Sequence, residues 1–291
     1  MNDFADHSDL DGPAEADALQ QAGNHRSLAR PAHAPFLRAA QQTDVGAVRE
    51  RNEDSSLVLV SEAGGHFPVG PFGFFVVADG MGGHYGGHEA SKAAIRAATS
   101  HIVRSIYLPL IHETFDLKPE QIAQQMETAA FAAHESVRDP DPQKNGGTTF
   151  TGALVLGRQL FIAHVGDSRA YWLVQQRLRP ITRDHSLVQR LLDTGQISVA
   201  EAQDYQFKNV LLRALGQEDE LVVDLFTFDL PPAGKLLLCS DGLCGMVPDA
   251  EIEAIMQTPQ SPSAAAEALI AAALAAGGAD NITAVVVDFA Y

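Results

Sequence analysis

The segment of residues 74–84 places one carboxylate at the end of an apolar run. Residues 74–78 are all apolar and are typical of a buried strand of ordinary length. Asp79 follows them, and the glycines beyond it allow the backbone to approach a ligand closely. A carboxylate on a rigid strand end, beside the main-chain carbonyl of Gly80, suits a hard cation that prefers oxygen ligands. The same residues could also form an ordinary turn between a strand and a helix, and the rest of the chain decides between these interpretations.

Composition and charge narrow the possible functions. The chain of 291 residues is 46% hydrophobic and 20% charged, as expected for a globular protein with a hydrophobic core. Its formal net charge of −17 argues against a nucleic-acid-binding protein, which would need a basic surface. Cys239 and Cys244 are its two cysteines, and they lack the partners of a zinc site. We therefore expect buried thiols in a reducing compartment.

Two further patterns concern membranes and export. The sequence does not begin with the charged and apolar regions of a signal peptide. Its longest apolar stretch, residues 264–276, is too short to span a bilayer. We therefore expect a cytoplasmic protein without a membrane partner.

The chain is predicted to consist of a tail and one folded domain. Residues 1–35 are rich in Ala, Asp, Gln and His and poor in large apolar residues, which predicts a disordered tail. Residues 36–291 form the predicted domain. Within it, residues 181–217 contain short polar helical pieces, with a capping box expected at Ser198 and Glu201. This segment is predicted to be an insertion that lies over a sheet.

Within the domain, predicted strands occur in runs and predicted helices in pairs. The strands are expected at residues 37–48, 56–61, 74–78, 148–156, 160–165, 169–174, 221–229, 235–240 and 282–289, and the helices at 87–107, 119–138, 249–257 and 263–276. This order favours an α+β fold with antiparallel sheets covered by helices over a doubly wound parallel sheet. Short turns join the three strands within residues 148–174, which predicts an antiparallel meander.

Several acidic residues share one kind of position, next to the end of a predicted strand. They are Glu53, Asp54, Asp79, Asp167, Asp241 and Asp280. Gathering these carboxylates would raise their pKa values unless a cation supplied the opposite charge. Ligand sets made only of oxygen select Mg²⁺ or Mn²⁺ over zinc or copper. The alternative is that each aspartate is merely a turn residue, which is less plausible for the whole set than for any single one.

A pair of such ions suits phosphoryl chemistry. Two ions about 3.5–4 Å apart can activate a shared water and hold the phosphate oxygens. A phosphate also needs a cationic partner, and Arg49 is the best candidate because a guanidinium matches two phosphate oxygens at once. Alternatively, Arg49 is a surface residue that pairs with a neighbouring acid.

Seven short motifs occur in the order that is typical of the PPM, or type 2C, metal-dependent Ser/Thr protein phosphatases. They are Arg-Glu-Arg-Asn-Glu-Asp at residues 49–54, Asp-Gly-Met-Gly-Gly-His at 79–84, Gly-Thr-Thr at 147–149, Gly-Asp-Ser-Arg at 166–169, Asp-His-Ser at 184–186, Ser-Asp-Gly at 240–242 and Gly-Ala-Asp-Asn at 278–281. The chain resembles a bacterial member of this family from about residue 36 to residue 291.

The resemblance implies a four-layer α-β-β-α sandwich of two antiparallel sheets flanked by helix pairs. It also implies two Mn²⁺ or Mg²⁺ ions, with a weaker third, at one edge of the sandwich. The first ion would be held by Asp79, Asp241 and Asp280. Asp79 would bridge to the second, which the Gly80 carbonyl and Glu53 would join. The third would lie between Asp167 and Asp241.

The remaining motif residues receive supporting roles by the same resemblance. Asp54, Asn281 and Ser240 would orient the ligands, and Arg49 would bind the phosphate. Residues 181–217 would be the flap that contacts protein substrates.

Position 81, where some relatives carry the proposed general acid, departs from the family pattern. Some relatives carry a histidine, proposed to protonate the leaving oxygen, where this chain has Met81, which cannot do so. A metal-bound water is our first candidate for that role and His84 the second, while His88 and His185 are assigned structural positions.

We expect hydrolysis of phosphoserine and phosphothreonine by direct attack of a metal-bridging hydroxide, without a phosphoenzyme. The expected partners are phosphorylated proteins, namely a bacterial Ser/Thr kinase and its targets, and a monomer is expected. One alternative is a catalytically silent phosphoprotein-binding module of the same fold, which should have lost some of the ligands Asp79, Asp241 or Asp280. The other is a metal-dependent nuclease, which the acidic charge disfavours.

Overall fold

The computed structural model describes residues 35–61, 70–82, 86–138, 146–203, 205–207, 209–217 and 220–291. The tail predicted for residues 1–35 lies outside these ranges except for its last residue, and so does His84. Residues 35–291 form one compact unit.

Strands and helices alternate in groups along the chain. The strands are β1 (Phe36–Asp44), β2 (Asp54–Ser61), β3 (Phe72–Met81), β4 (Gly147–Thr148), β5 (Phe150–Leu156), β6 (Gln159–Val165), β7 (Arg169–Val174), β8 (Arg177–Pro180), β9 (Asp224–Asp229), β10 (Ala233–Cys239) and β11 (Ile282–Ala290). The helices are α1 (Gly86–Ile102), α2 (Leu108–Ile111), α3 (Pro119–Val137), α4 (Leu187–Asp193), α5 (Val199–Gln203), α6 (Asp241–Cys244), α7 (Asp249–Gln257) and α8 (Pro262–Ala275). A π-helical segment, Val103–Tyr107, connects α1 to α2.

The strands form two antiparallel sheets, as predicted. The first sheet has the order β1-β11-β10-β7-β8, and the second has the order β2-β3-β5-β6-β9, with the short β4 paired to β3. All strand pairs are antiparallel. The α+β fold class is therefore confirmed.

Alternating side chains along the strands build three apolar layers. In β3, Val76 faces a core that includes Ala94 of α1 and Met126 of α3, whereas Val77 faces the core between the sheets. In β11, Val286 packs with the residues of α7 and α8, and Val285 faces the core between the sheets. Complete burial of each such valine contributes about 1.5–3 kcal/mol. The result is the α-β-β-α sandwich.

The predicted meander of residues 148–174 is wrong. β5 and β6 pair, but β7 pairs with β10 and belongs to the other sheet. Gly166 has φ +112° in the turn after β6, a conformation that favours glycine and here redirects the chain between the sheets. The short turn suggested a hairpin between neighbouring strands. Strands that are buried on both faces do not alternate between apolar and polar residues, so their sequence does not identify the sheet to which they belong.

Several element boundaries also differ from prediction. β1 ends at Asp44 rather than near residue 48, and β3 continues to Met81, so that Asp79 lies within the strand. The continuation occurs because β4 pairs with Gly80 and Met81. β8 and α6 were not predicted.

The segment of residues 181–217 contains the short helices α4 and α5. The capping box before α5 is confirmed, since Ser198 N donates to Glu201 Oε2 at 2.8 Å and Glu201 N donates to Ser198 Oγ at 3.3 Å. Across the described part of the chain, we find no helix that combines the length and the hydrophobicity needed to cross a membrane.

Candidate metal centre

The predicted acidic residues occupy one edge of the two sheets. Asp54 begins β2 and lies opposite Asp79 in the β2–β3 register. Asp241 begins α6 and is separated from the end of β10 only by Ser240. Asp280 is separated only by Asn281 from the start of β11, the neighbour of β10. Asp167 lies in the turn that crosses from one sheet to the other. Segments far apart in sequence therefore bring their carboxylates to the same edge.

Four of these carboxylates, those of Asp54, Asp79, Asp167 and Asp241, affect one another's pKa values at this edge. Burial raises the pKa of Asp79 well above its usual range, and the charges of Asp54, Asp241 and Asp167 raise it further. Burial and the charge of Asp241 likewise raise the pKa of Asp167. Asp79 and Asp241 also perturb each other, and burial together with the charge of Asp280 raises the pKa of Asp241. A bound cation would remove the repulsion that these shifts record.

Two buried carboxylate oxygens fit the demand of a hard cation. Asp54 accepts a hydrogen bond from Ser240 Oγ at 2.7 Å through Oδ2, whereas its Oδ1 has no partner among the described residues. Burial raises the pKa of Asp54 to about 7. The Oδ1 atom of Asp241 is also buried without a hydrogen-bond partner in the described chain. Buried polar atoms are normally paired, so these oxygens indicate a place for an ion with oxygen ligands.

Asp280 is half-buried, and its carboxylate is bound by Arg49 and by the main chain of Asn281. Its Oδ2 lies 2.7 Å from Arg49 Nη2, and its Oδ1 accepts from Asn281 N at 2.8 Å. The Arg49 side chain is 54% exposed. Arg49 therefore pairs with a predicted metal ligand, and its hydrogen bond to Asp280 raises the pKa of the guanidinium.

The carboxylates are close but are not yet arranged as a ligand set. Among the residues that the structure describes, no group of three or more His, Cys, Asp or Glu side chains has the arrangement needed to hold a metal ion. An ion bound between Asp79, Asp241 and Asp280 would compete with the ion pair between Arg49 and Asp280.

Glu53 and Gly80 lie together at the start of α1. Gly80 N donates to Glu53 O at 3.2 Å. A Cβ atom at position 80 would lie 2.2 Å from Gly87 O and 2.6 Å from Glu53 O, so this close approach requires glycine. The Oε2 atom of Glu53 would lie 2.5 Å from a Cβ atom at Gly87. Burial raises the pKa of Glu53, and the nearby charge of Arg49 opposes this shift.

Asn281 and Ser240 connect the acidic segments. The Asn281 amide donates to Val45 O at 2.9 Å and to Arg51 O at 2.8 Å. Its Oδ1 accepts from Glu53 N at 2.8 Å. Ser240 Oγ, which donates to Asp54, also accepts from the main chain of β11. These side chains fix the turn of residues 45–53 against the first sheet.

His185 holds the turn that carries Asp167, a contact that sequence analysis missed. Gly166 N donates to His185 Nδ1 at 3.1 Å, and His185 N donates to Gly166 O at 2.7 Å. His185 Nε2 lies 3.1 Å from Asp224 Oδ2. Because Nδ1 accepts a hydrogen bond from Gly166, the proton of the ring is on Nε2 and faces Asp224. Burial lowers the pKa of His185. In the sequence, only the Asp-His-Ser motif at residues 184–186 pointed to a role for His185.

Thr148 and Thr149 belong to the Gly-Thr-Thr motif, to which the sequence alone assigned no role. Both are buried and bind the main chain of Asp79. Cys239 and Cys244 are free and buried, as predicted.

Comparison with known proteins gives a consistent result. A sequence model of the protein phosphatase 2C family matches residues 52–276. The chain is 39% identical over 253 residues to the serine/threonine phosphatase stp of Listeria monocytogenes serotype 4b, covering 87% of this chain and 96% of that protein.

Two solved structures of serine/threonine phosphatases are also similar to this chain. The catalytic domain of the phosphatase PstP in complex with two manganese ions has a TM-score of 0.71 at 34% identity, covering 88% of this chain and 100% of that chain. The S. agalactiae serine/threonine phosphatase has a TM-score of 0.76 at 28% identity, covering 87% of this chain and 99% of that one.

Proposed function

The chain belongs to the protein phosphatase 2C family, and we propose that it is a metal-dependent phosphatase that hydrolyses phosphoserine and phosphothreonine in proteins. The observation that carries this proposal is the meeting of Asp54, Asp79, Asp167 and Asp241 at one edge of the sandwich, with raised pKa values and unpaired buried oxygens. A silent binding module of the same fold would have no need to retain this costly group of charges.

We propose that Mn²⁺ or Mg²⁺ binds to these residues. Asp79, Asp241 and Asp280 would hold one ion, and Asp79 would share the second with the Gly80 carbonyl and Glu53. A weaker third ion would bind to Asp167 and Asp241. When bound, such ions lower the pKa of coordinated water and stabilise the charge on a phosphoryl group.

The chain's own residues position the substrate. The exposed guanidinium of Arg49 is next to the carboxylates, where it can bind two oxygens of a phosphate. Asp54 and Asn281 hold the ligand-bearing segments in place. Met81 has no exchangeable proton, so position 81 does not supply the proton for the leaving oxygen.

The proposal is tested by hydrolysis of a phosphothreonine peptide and of an aryl phosphate. Activity should require Mn²⁺, disappear with EDTA and be lost in Asp241→Asn. Asp229→Asn is the matched control, because it removes the same charge from an exposed strand end. Equal turnover with Mn²⁺, with EDTA and in Asp241→Asn would refute the proposal.

The substrates are phosphorylated proteins. We propose that they are a bacterial Ser/Thr kinase and its targets, that the enzyme works in the cytoplasm as a monomer, and that residues 181–217 form its substrate-contacting flap. Phosphoproteomic comparison of cells with and without the gene identifies the targets, and light scattering measures the oligomeric state.

A further inference from the structure

Two adjacent threonines hold the main chain of Asp79. Thr149 N donates to Asp79 O at 2.8 Å, and Thr149 Oγ1 accepts from Asp79 N at 2.9 Å. The Thr148 hydroxyl donates to the same Asp79 carbonyl at 2.9 Å. Both polar groups of the Asp79 main chain are therefore satisfied by these threonines, and the position of Asp79 depends on theirs.

The Thr149 side chain also contacts the turn that carries Asp167. Thr149 Oγ1 lies 2.6 Å from Ser168 Oγ, and the two residues are 1% and 0% exposed. A Cβ atom added at Gly166 would lie 2.6 Å from the Cβ and Cγ2 atoms of Thr149. The residues on both sides of Asp167 are thus in contact with Thr149.

Further buried groups continue this connection toward residues 181–217. The Thr151 hydroxyl lies 3.0 Å from Ser168 O and 3.0 Å from His164 Nδ1. His164 Nε2 lies 3.1 Å from Arg183 O. Thr151, His164 and Ser168 are fully buried, so water does not compete for these hydrogen bonds.

We propose that Thr149 is a positioning residue of the metal centre, and that its hydroxyl, bonded to Ser168, sets the separation of Asp79 and Asp167. The inference rests on the proposed function, because that function assigns both carboxylates to metal ions. A hydroxyl is needed at this place because it accepts from the Asp79 N–H and can donate to Ser168 at the same time. Valine has a similar shape but would leave both partners unsatisfied.

Three variants separate the hydroxyl from the packing of the side chain. Thr149→Val keeps the methyl contact with Gly166 and loses the hydroxyl, whereas Thr149→Ser keeps the hydroxyl. Ser168→Ala removes only the partner. Thr99→Val is the matched control, since the Thr99 hydroxyl on α1 has no hydrogen-bond partner within the described residues. The dissociation constant for Mn²⁺ is measured from the electron paramagnetic resonance signal of free Mn²⁺, beside unfolding by urea in EDTA and hydrolysis of an aryl phosphate.

Thr149→Val and Ser168→Ala should each weaken Mn²⁺ binding by about tenfold or more, as is usual when a residue that orients a metal ligand is changed. The double variant should be little weaker than the worse single variant, because both changes break one hydrogen bond. The dissociation constant of Thr149→Ser for Mn²⁺ should stay within about threefold of that of the unaltered protein. The dissociation constant of Thr99→Val should equal that of the unaltered protein.

The inference is overturned if both variants lose stability in EDTA but bind Mn²⁺ within about twofold of the unaltered protein. That result, with Mn²⁺-dependent hydrolysis intact, leaves the proposed function standing. An unaltered protein that neither binds Mn²⁺ nor hydrolyses the substrate overturns both. If Thr149→Val fails to fold, Ser168→Ala decides the question.

Discussion

Replacing Asp54 by asparagine should stabilise the metal-free protein above neutral pH while weakening its response to Mn²⁺. Asp54 is buried, and its carboxylate faces other carboxylates without a cation. Asparagine retains an oxygen that can accept from Ser240 Oγ and removes the charge. The change therefore removes one buried negative charge. This charge destabilises the metal-free protein and supports the binding of a metal ion.

The magnitude follows from the pKa of Asp54, which burial raises from 3.8 to about 7. The folded protein binds this proton more tightly than the unfolded chain, so the free energy of unfolding falls as pH rises from about 4 to about 7. Above this range a shift of about 3 pKa units corresponds to a penalty of about 4 kcal/mol. An unpaired buried Nδ2 group in the variant costs about 1–2 kcal/mol. The expected net gain is about 2–3 kcal/mol at pH 8. At pH 4, where the charge penalty is almost absent, the unpaired amide group leaves a net loss of about 1 kcal/mol.

The assay is thermal and urea unfolding at pH 4, 6 and 8, in EDTA and again with Mn²⁺. In EDTA at pH 8 the midpoint temperature of Asp54→Asn should rise by about 4–12 °C, since each kcal/mol shifts a domain of this size by about 2–4 °C. With Mn²⁺ the unaltered protein should gain more stability than the variant, because ligands stabilise in proportion to their affinity for the folded state. Asp229→Asn, on the surface, should change neither value. A variant no more stable than the unaltered protein at pH 8, or equally stabilised at every pH, would refute the reasoning.

Three further predictions concern neighbouring residues. Arg49→Lys keeps the charge but loses the paired N–H groups, so KM for a phosphopeptide should rise about tenfold, and steady-state kinetics with unchanged KM would contradict this. Asn281→Ala removes three hydrogen bonds that hold residues 45–53, so urea unfolding should show a loss of about 2–4 kcal/mol; a loss below about 0.5 kcal/mol would show that the contacts are unimportant. A Cβ atom at Gly242 would lie 2.0 Å from Asn281 O, so Gly242→Ala should destabilise the protein by at least about 1–3 kcal/mol in thermal unfolding, and an unchanged midpoint would contradict the packing argument.

The positions of Asp79, Asp241 and Asp280 could be predicted because each of the three lies next to a residue that the backbone needs. Gly80 and Gly242 have no room for a side chain, and Asn281 binds three main-chain groups. These steric and hydrogen-bonding requirements fix the residue type beside each acid, so the short motifs can be identified in the sequence. The antiparallel fold followed from the grouping of strands and helices.

The path from β6 to β7 could not be predicted in the same way. Phe161 faces the core under α1 and α3, while Ile162 faces the core between the sheets. With both faces apolar, the sequence of a strand does not reveal which sheet it joins. The hydroxyl pair of Thr149 and Ser168 was missed for a related reason, because small polar residues beside turns are common and only the fold shows that these two meet.

The position of β11 inside its sheet has a consequence for synthesis of the protein. β11 lies between β1 and β10, so the earliest strand of the domain pairs with the latest. On the ribosome, residues 45–281 must be synthesised after β1 before its partner β11 begins to appear. Contacts between such distant segments are slow to form. A polypeptide terminated before residue 280 would lack both this partner of β1 and the carboxylate of Asp280, which we propose as a metal ligand.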